Sequence, residues 1–289
     1  MLKFQKAKAK LVEFSVLPED YPRFNLNSNE LSFPSTYILS RYAECIIENN
    51  LDEINELSSE LLFAAQYYDA ALNSKDRTQY DLDFILSGAA TYFFADDYGS
   101  AKVLSKKAND YLKRLDNRNP QKLLVCLFQL LFENDRSQYT KEIDLFAKIN
   151  NRIIDYFVKG LKISELLRIL NDYRLEVYDA QIPDEVFYVD ILIAIIIISI
   201  KDSSWILLPR YSGLLPDAWY SYLSKKNSVR ILWAAQKLIG EQGVLAGKNA
   251  VVQLPTGVGK TKSIELIIRS AFLSKRATTA IVVAPLRAL

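Results

Sequence analysis

The residues in this sequence best suited to chemistry are Gln253-Leu254-Pro255-Thr256-Gly257-Val258-Gly259-Lys260-Thr261. They lie between an apolar run, Asn249-Ala250-Val251-Val252, and a helix-periodic segment, Lys262 to Ser274, carrying Ile264, Leu266, Ile267, Ile268, Ala271 and Phe272. Strand, loop and helix in that order are what a phosphate-binding loop requires. Gly257 and Gly259 permit a tight turn that points successive amides at a polyphosphate, and the following helix start adds its positive dipole end. On this reading Pro255, Thr256, Gly257, Val258, Gly259, Lys260 and Thr261 hold ATP. Lys260 reaches the β- and γ-phosphates and Thr261 holds Mg²⁺, which makes these two the candidate catalytic residues.

The first glycine usual in such a loop is replaced by Leu254. The remaining Pro255-Thr256-Gly257-x-Gly259-Lys260-Thr261 resembles the form found in superfamily 2 helicases and translocases. Upstream, Ser228 to Glu241 reads as a helix carrying Gln236, and Gln236 through Thr261 resembles the adenine-reading glutamine, short loop and phosphate loop of those enzymes. A glutamine amide can donate to one edge of adenine and accept from its amino group. Arg230 is a candidate brace for the same site and Trp219 a candidate flank for adenine.

Downstream, Thr278 to Ala284 reads as a second buried strand, and Ala284-Pro285-Leu286-Arg287-Ala288-Leu289 resembles motif Ia of the same helicases. There a helix start and a basic residue grip the sugar-phosphate track, which assigns Pro285 and Arg287 to nucleic acid. The texture is similar to that of DEAD/DEAH-box and Ski2-like helicases. A different phosphate-loop class, such as a AAA+ ATPase or a kinase, is disfavoured by the Pro-Thr-Gly form and by motif Ia.

What the resemblance implies is an ATP- and Mg-dependent nucleic-acid motor, with DNA favoured over RNA and the choice left open. Such a motor also needs an Asp-Glu-x-x box and a second RecA-like domain with arginine fingers. No Asp or Glu follows Glu265. The 289 residues therefore read as the N-terminal portion of a helicase, not expected to hydrolyse ATP alone. The alternative is a helical protein-interaction module with a remnant or sensing nucleotide site. Phe63-Ala64-Ala65-Gln66-Tyr67-Tyr68-Asp69-Ala70-Ala71-Leu72 and Gly88-Ala89-Ala90-Thr91-Tyr92-Phe93-Phe94 resemble the front half of Hachiman-type bacterial defence helicases. That likeness implies an antiphage role and a nuclease partner subunit.

The elements that must position these residues follow from periodicity. A chain of this length supports two domains and a sizeable core. The 36 basic and 34 acidic residues nearly cancel, so any nucleic-acid contact must come from local patches. The absence of histidine excludes His-ligated metals, Ser-His triads and His bases. Cys45 and Cys126 fit buried free thiols of a reducing compartment. The N-terminus lacks the apolar core of a signal peptide, and Val186 to Ile200, broken by Asp190 and Ser199, is too short to span a bilayer. A cytoplasmic protein without membrane contact is expected.

The expected fold class is mainly α: an irregular helical N-terminal domain, then the start of a RecA-like α/β phosphate-loop domain. Residues 1–34 read as an N-terminal segment and loop, 35–215 as the helical domain and 216–289 as the partial ATP-binding domain. Helix periodicity recurs from Pro34 to Ile200 with polar turns between. Gly88, Tyr92, Tyr98, Ala101 and Ala108 have the small-against-large pattern of a helical hairpin.

Overall fold

The computed structural model describes residues 28–72, 81–115, 119–135, 144–254 and 259–283. The chain divides into two compact units, Met1–Ile200 and Lys201–Leu289. The described residues are mainly helical, as the periodicity predicts, and contain no strand beyond an isolated antiparallel bridge between Ser203 and Ile231. No helix among them is long and apolar enough to cross a membrane.

The first unit is built of α1 Ser28–Glu48, α2 Leu51–Leu72, α3 Asp81–Phe94 and α4 Tyr98–Lys107, which tightens into a 3-10 turn at Ala108–Arg114. It continues with α5 Pro120–Glu133, α6 Leu145–Lys159, α7 Ile163–Ala180 and α8 Pro183–Lys201, whose last residue belongs to the second unit. From α1 to α7 each helix packs against the next in sequence. Local chemistry sets the boundaries. Asn119 caps α5 by accepting from the Gln121 amide at 2.8 Å, Pro120 takes the first helical position, and Asn134 closes the helix in the left-handed conformation. Asp144 accepts from the Ala147 amide at 2.8 Å to start α6, and Gly160 at φ 70° ends it.

The loop expected up to Pro34 is corrected in part: α1 already begins at Ser28 and runs through Pro34. Proline removes one helical hydrogen bond there. The buried stripe that follows, Ile38, Leu39, Tyr42, Ala43, Cys45 and Ile46, outweighs that loss.

The small-against-large pattern has a packing cause. A Cβ on Gly88 would stand 3.0 Å from both Leu104 Cδ1 and Tyr68 Cβ, so α2, α3 and α4 meet closely around it. Tyr98, Ala101 and Ala108 are buried as well. Gly88→Val is expected to destabilise the first unit by about 1–3 kcal/mol through overpacking, read as a lowered far-UV melting midpoint.

Asp190, which interrupts the apolar run of α8, is also accounted for. Arg174 of α7 donates to it through Nε at 2.7 Å and Nη2 at 3.3 Å, and the Tyr178 hydroxyl donates as well. A carboxylate this buried is tolerable only when paired and hydrogen-bonded. Cys45 and Cys126 are both free and buried. Burial pushes their thiols up to about 11 and about 12, so both stay protonated and unreactive at neutral pH.

The second unit holds α9 Ser204–Ser212, α10 Pro216–Leu223, α11 Ala234–Glu241 and α12 Lys260–Leu273. The contact division at Ile200 places α9 with the nucleotide-loop residues, although a boundary near 215 assigns it to the helical half. The core of this unit is Leu207, Leu208, Trp219, Tyr222, Leu223, Leu232, Leu245 and Leu266.

Two expected strands are absent. Asn249–Val252 and the described part of Thr278–Ala284 have no regular secondary structure, with Val251, Ile281 and Val283 exposed. A strand exists through hydrogen bonds to a neighbour, and neither run has one among the described residues. The RecA-like sheet is thus not seen, and the outer side of α12, with Ile264 and Phe272, stays exposed.

Candidate functional site

The site grows from the backbone joining α9 to α11. The helix read at Ser228–Glu241 is corrected: only Ala234–Glu241 is helical. The preceding residues run extended against residues 202–204, with the Ser204 amide bonded to the Arg230 carbonyl at 3.0 Å and the Leu232 amide to the Asp202 carbonyl at 2.8 Å. Lys237 then pairs with Asp202 at 2.7 Å, tying the first turn of α11 to the same crossing.

This anchoring places Gln236 in the interior, at 4% exposure. Its Oε1 accepts from the Trp233 amide at 3.0 Å, the reach-back half of a capping box at the start of α11. Its Nε2 faces Gly259, where an added Cβ would lie 2.9 Å away. Gly259 has φ 86° and caps α12, whose first residues Lys260 and Thr261 are exposed. The Gly259 carbonyl accepts from the Ser263 amide at 3.0 Å and from its hydroxyl at 3.2 Å, which fixes the helix start.

The far end of α12 is fixed as firmly. The Arg276 Nη2 donates to the Leu245 carbonyl at 2.6 Å, and the Ser270 hydroxyl donates to the same carbonyl at 2.5 Å. Gly247, at φ 108°, gives the guanidinium its room: a Cβ there would stand 2.2 Å from Arg276 Nη1. On the flank of α12, Glu265 accepts from Lys262 at 2.9 Å and Arg269 at 3.0 Å. Burial opposes ionisation of Glu265, but these two cations outweigh it and hold the carboxyl below its ordinary value.

Sequence-expected residues thus fall into three groups. Gln236, Gly259, Lys260 and Thr261 are brought to one place. Pro255, Thr256, Gly257, Val258, Pro285 and Arg287 lie outside the described residues. Arg230 and Trp219 belong elsewhere. The Arg230 guanidinium is buried and donates to the Leu223 and Lys225 carbonyls at 2.6 and 3.0 Å, closing the turn after α10. Trp219 is fully buried, and its Nε1 donates to Ser212 Oγ at 3.0 Å, so it is core and no flank for a base. Sequence reading missed the Asp202–Lys237 and Arg276–Leu245 ties, for which no motif exists. The Trp233–Gln236 bond was visible in principle, since a glutamine at the third helical position is a capping-box signal.

This arrangement can receive an anion. A helix start presents unpaired amides, Lys260 adds an exposed charge, and Gly259 provides a close approach that a Cβ would fill. Among the described residues no group of three or more Cys, Asp and Glu side chains could hold a metal.

Residues 234–289 match the family model of the DEAD/DEAH box helicase. The matched segment begins at α11 and contains Gln236 and the whole Gly259–Thr261 turn. The match supports a helicase-type, nucleotide-dependent function for this part of the chain, and with it contact with nucleic acid. No curated protein and no solved structure matches the chain.

Proposed function

We propose that residues 234–289 bind ATP and Mg²⁺ as part of a superfamily 2 nucleic-acid helicase or translocase, and that the first 200 residues form its helical accessory domain. The observation that carries this reading is Gln236 Nε2 set against Gly259 at the start of α12, with Lys260 and Thr261 exposed beside it. The residues fit the ligand: Gly259, with Pro255, Thr256, Gly257 and Val258, cradles the polyphosphate, Lys260 balances its charge, and Thr261 holds the magnesium ion. Bound ATP supplies the phosphoanhydride whose cleavage drives movement. Gln236 donates through Nε2 to adenine while Oε1 stays on the Trp233 amide. Pro285 and Arg287 grip the sugar-phosphate backbone, with DNA the favoured strand.

Lys260 is exposed and at the helix surface, so Lys260→Ala should leave the melting midpoint unchanged. It should weaken Mg-dependent binding of a fluorescent ATP analogue at least about tenfold, as loss of one charge-assisted contact to phosphate requires. Unchanged binding would instead favour a helical interaction module with a remnant site. On the likeness of the front half to Hachiman-type defence helicases we extend the proposal to a DEAD/DEAH-box or Ski2-like motor that acts against phage with a nuclease partner subunit. Co-purification of a nuclease with the protein from phage-challenged cells tests that extension.

A further inference from the structure

A hollow of about 400 Å³ in the first unit lies where the start of α6, the second half of α7 and the start of α8 meet. Its size is at the small end of the ~300–1,000 Å³ typical of ligand sites. Phe146, Tyr173 and Val177 give it an apolar lining, with Asp144 and Glu176 exposed and Glu185 half-buried around it. No lysine or arginine is among its lining residues. Glu176 and Glu185 make no ion pair or hydrogen bond among the described residues, and Asp144 is engaged only as the cap on the Ala147 amide.

A second observation points inward. Tyr173 is 7% exposed, yet its hydroxyl has no hydrogen-bond partner among the described residues. A buried polar atom is ordinarily satisfied, and one that is not is a place where a ligand gains by supplying the bond. Burial, reinforced by the negative charge of Glu185 and Glu176, pushes this phenol well above its ordinary value. The hydroxyl therefore stays protonated and uncharged, with lone pairs to offer a donor.

An apolar lining with an anionic rim matches one type of side chain, a long apolar stem with a cationic head. The acceptors here come from two helices, Tyr173 and Glu176 one turn apart on α7 and Glu185 at the start of α8. The planar, five-donor guanidinium serves such a spread better than the compact ammonium of lysine, and it also stacks on aromatic faces. We propose that this hollow binds an arginine side chain presented by a basic peptide segment of a partner protein, with Glu176 and Glu185 accepting at the rim and Tyr173 at the wall.

The test is calorimetric titration of the whole 289-residue chain with an acetylated Gly-Arg-Arg-Gly amide. Matched peptides carry citrulline or lysine in place of arginine. Saturable binding of the arginine peptide is expected, with no saturable binding of the citrulline peptide and a several-fold weaker response to lysine. Glu176→Gln with Glu185→Gln should weaken binding at least about tenfold while the circular dichroism stays unchanged, since neither carboxylate has a bond among the described residues to lose. Tyr173→Phe should weaken it several-fold without lowering the melting midpoint, because the hydroxyl it removes has no partner. Absence of saturable binding, equal binding of the citrulline or lysine peptide, or binding unmoved by the paired glutamine substitutions overturns the proposal.

Discussion

Trp219→Ala is expected to cost the second unit about 3–5 kcal/mol, as truncation of a fully buried aromatic generally does. Two losses contribute and their sizes differ. The indole Nε1–H bond to Ser212 is worth about 1 kcal/mol net. The larger part is the ring itself, which is 0% exposed, sits edge-on to Tyr222 at 6.1 Å and lies in the same cluster as Leu207, Leu208 and Leu232. A domain of this size commonly has only about 5–15 kcal/mol in total, so the substitution should bring the unit close to its unfolding threshold. Trp219→Phe, which keeps an aromatic ring, should cost only about 1–2 kcal/mol. Trp205, Trp219 and Trp233 are the three tryptophans of the chain, all in the second unit. Urea unfolding followed by the fluorescence of the two that remain therefore reports this unit, while far-UV dichroism is dominated by the larger first unit. An equal shift of both signals would contradict a local effect.

The helices of the first unit were legible because their signals are local: Asn119-Pro120 opens α5, Pro183 opens α8, and apolar residues recur at helical spacing between them. In the second unit the decisive terms are not local. Pro209, Gly213 and Pro216 read as loop punctuation, yet Ser212 and Trp219 bond across that stretch and hold two short helices together. Arg230, a candidate brace for the nucleotide site by its position before Gln236, is instead buried against two carbonyls of the turn after α10. Val251-Val252 and Ile281-Val282-Val283 have the composition of strands, but composition cannot supply the neighbouring chain that makes a strand. Within the candidate site, Gly259, Lys260 and Thr261 were legible because a glycine in the left-handed region before a helix is a sequence signal in itself. The approach of Gln236 to Gly259 rested on resemblance alone, and its bond to the Trp233 amide on a spacing rule left unapplied.

Gly259→Ala is expected to reduce binding of Mg-ATP by more than about tenfold, and two strains acting together give it that size. At φ 86° a residue with a Cβ pays about 1–2 kcal/mol for the left-handed backbone. The new methyl would also stand 2.9 Å from Gln236 Nε2, inside any ordinary contact. Flexible surface side chains relieve such overlaps by turning away. Gln236 is not free to do so, because it is buried and its Oε1 is held by the Trp233 amide at 3.0 Å. Relief must come either from breaking that bond, which frays the start of α11, or from moving the Gly259 turn, which displaces Lys260 and Thr261. The two strains can be separated by a double-mutant cycle. Gln236→Ala removes the steric partner, so in its presence Gly259→Ala should retain only the backbone cost and lower the second unit's stability by less than it does alone. Additive stability changes in the cycle would show that Gln236 and Gly259 do not press on each other, and would remove the observation on which the nucleotide-site reading rests.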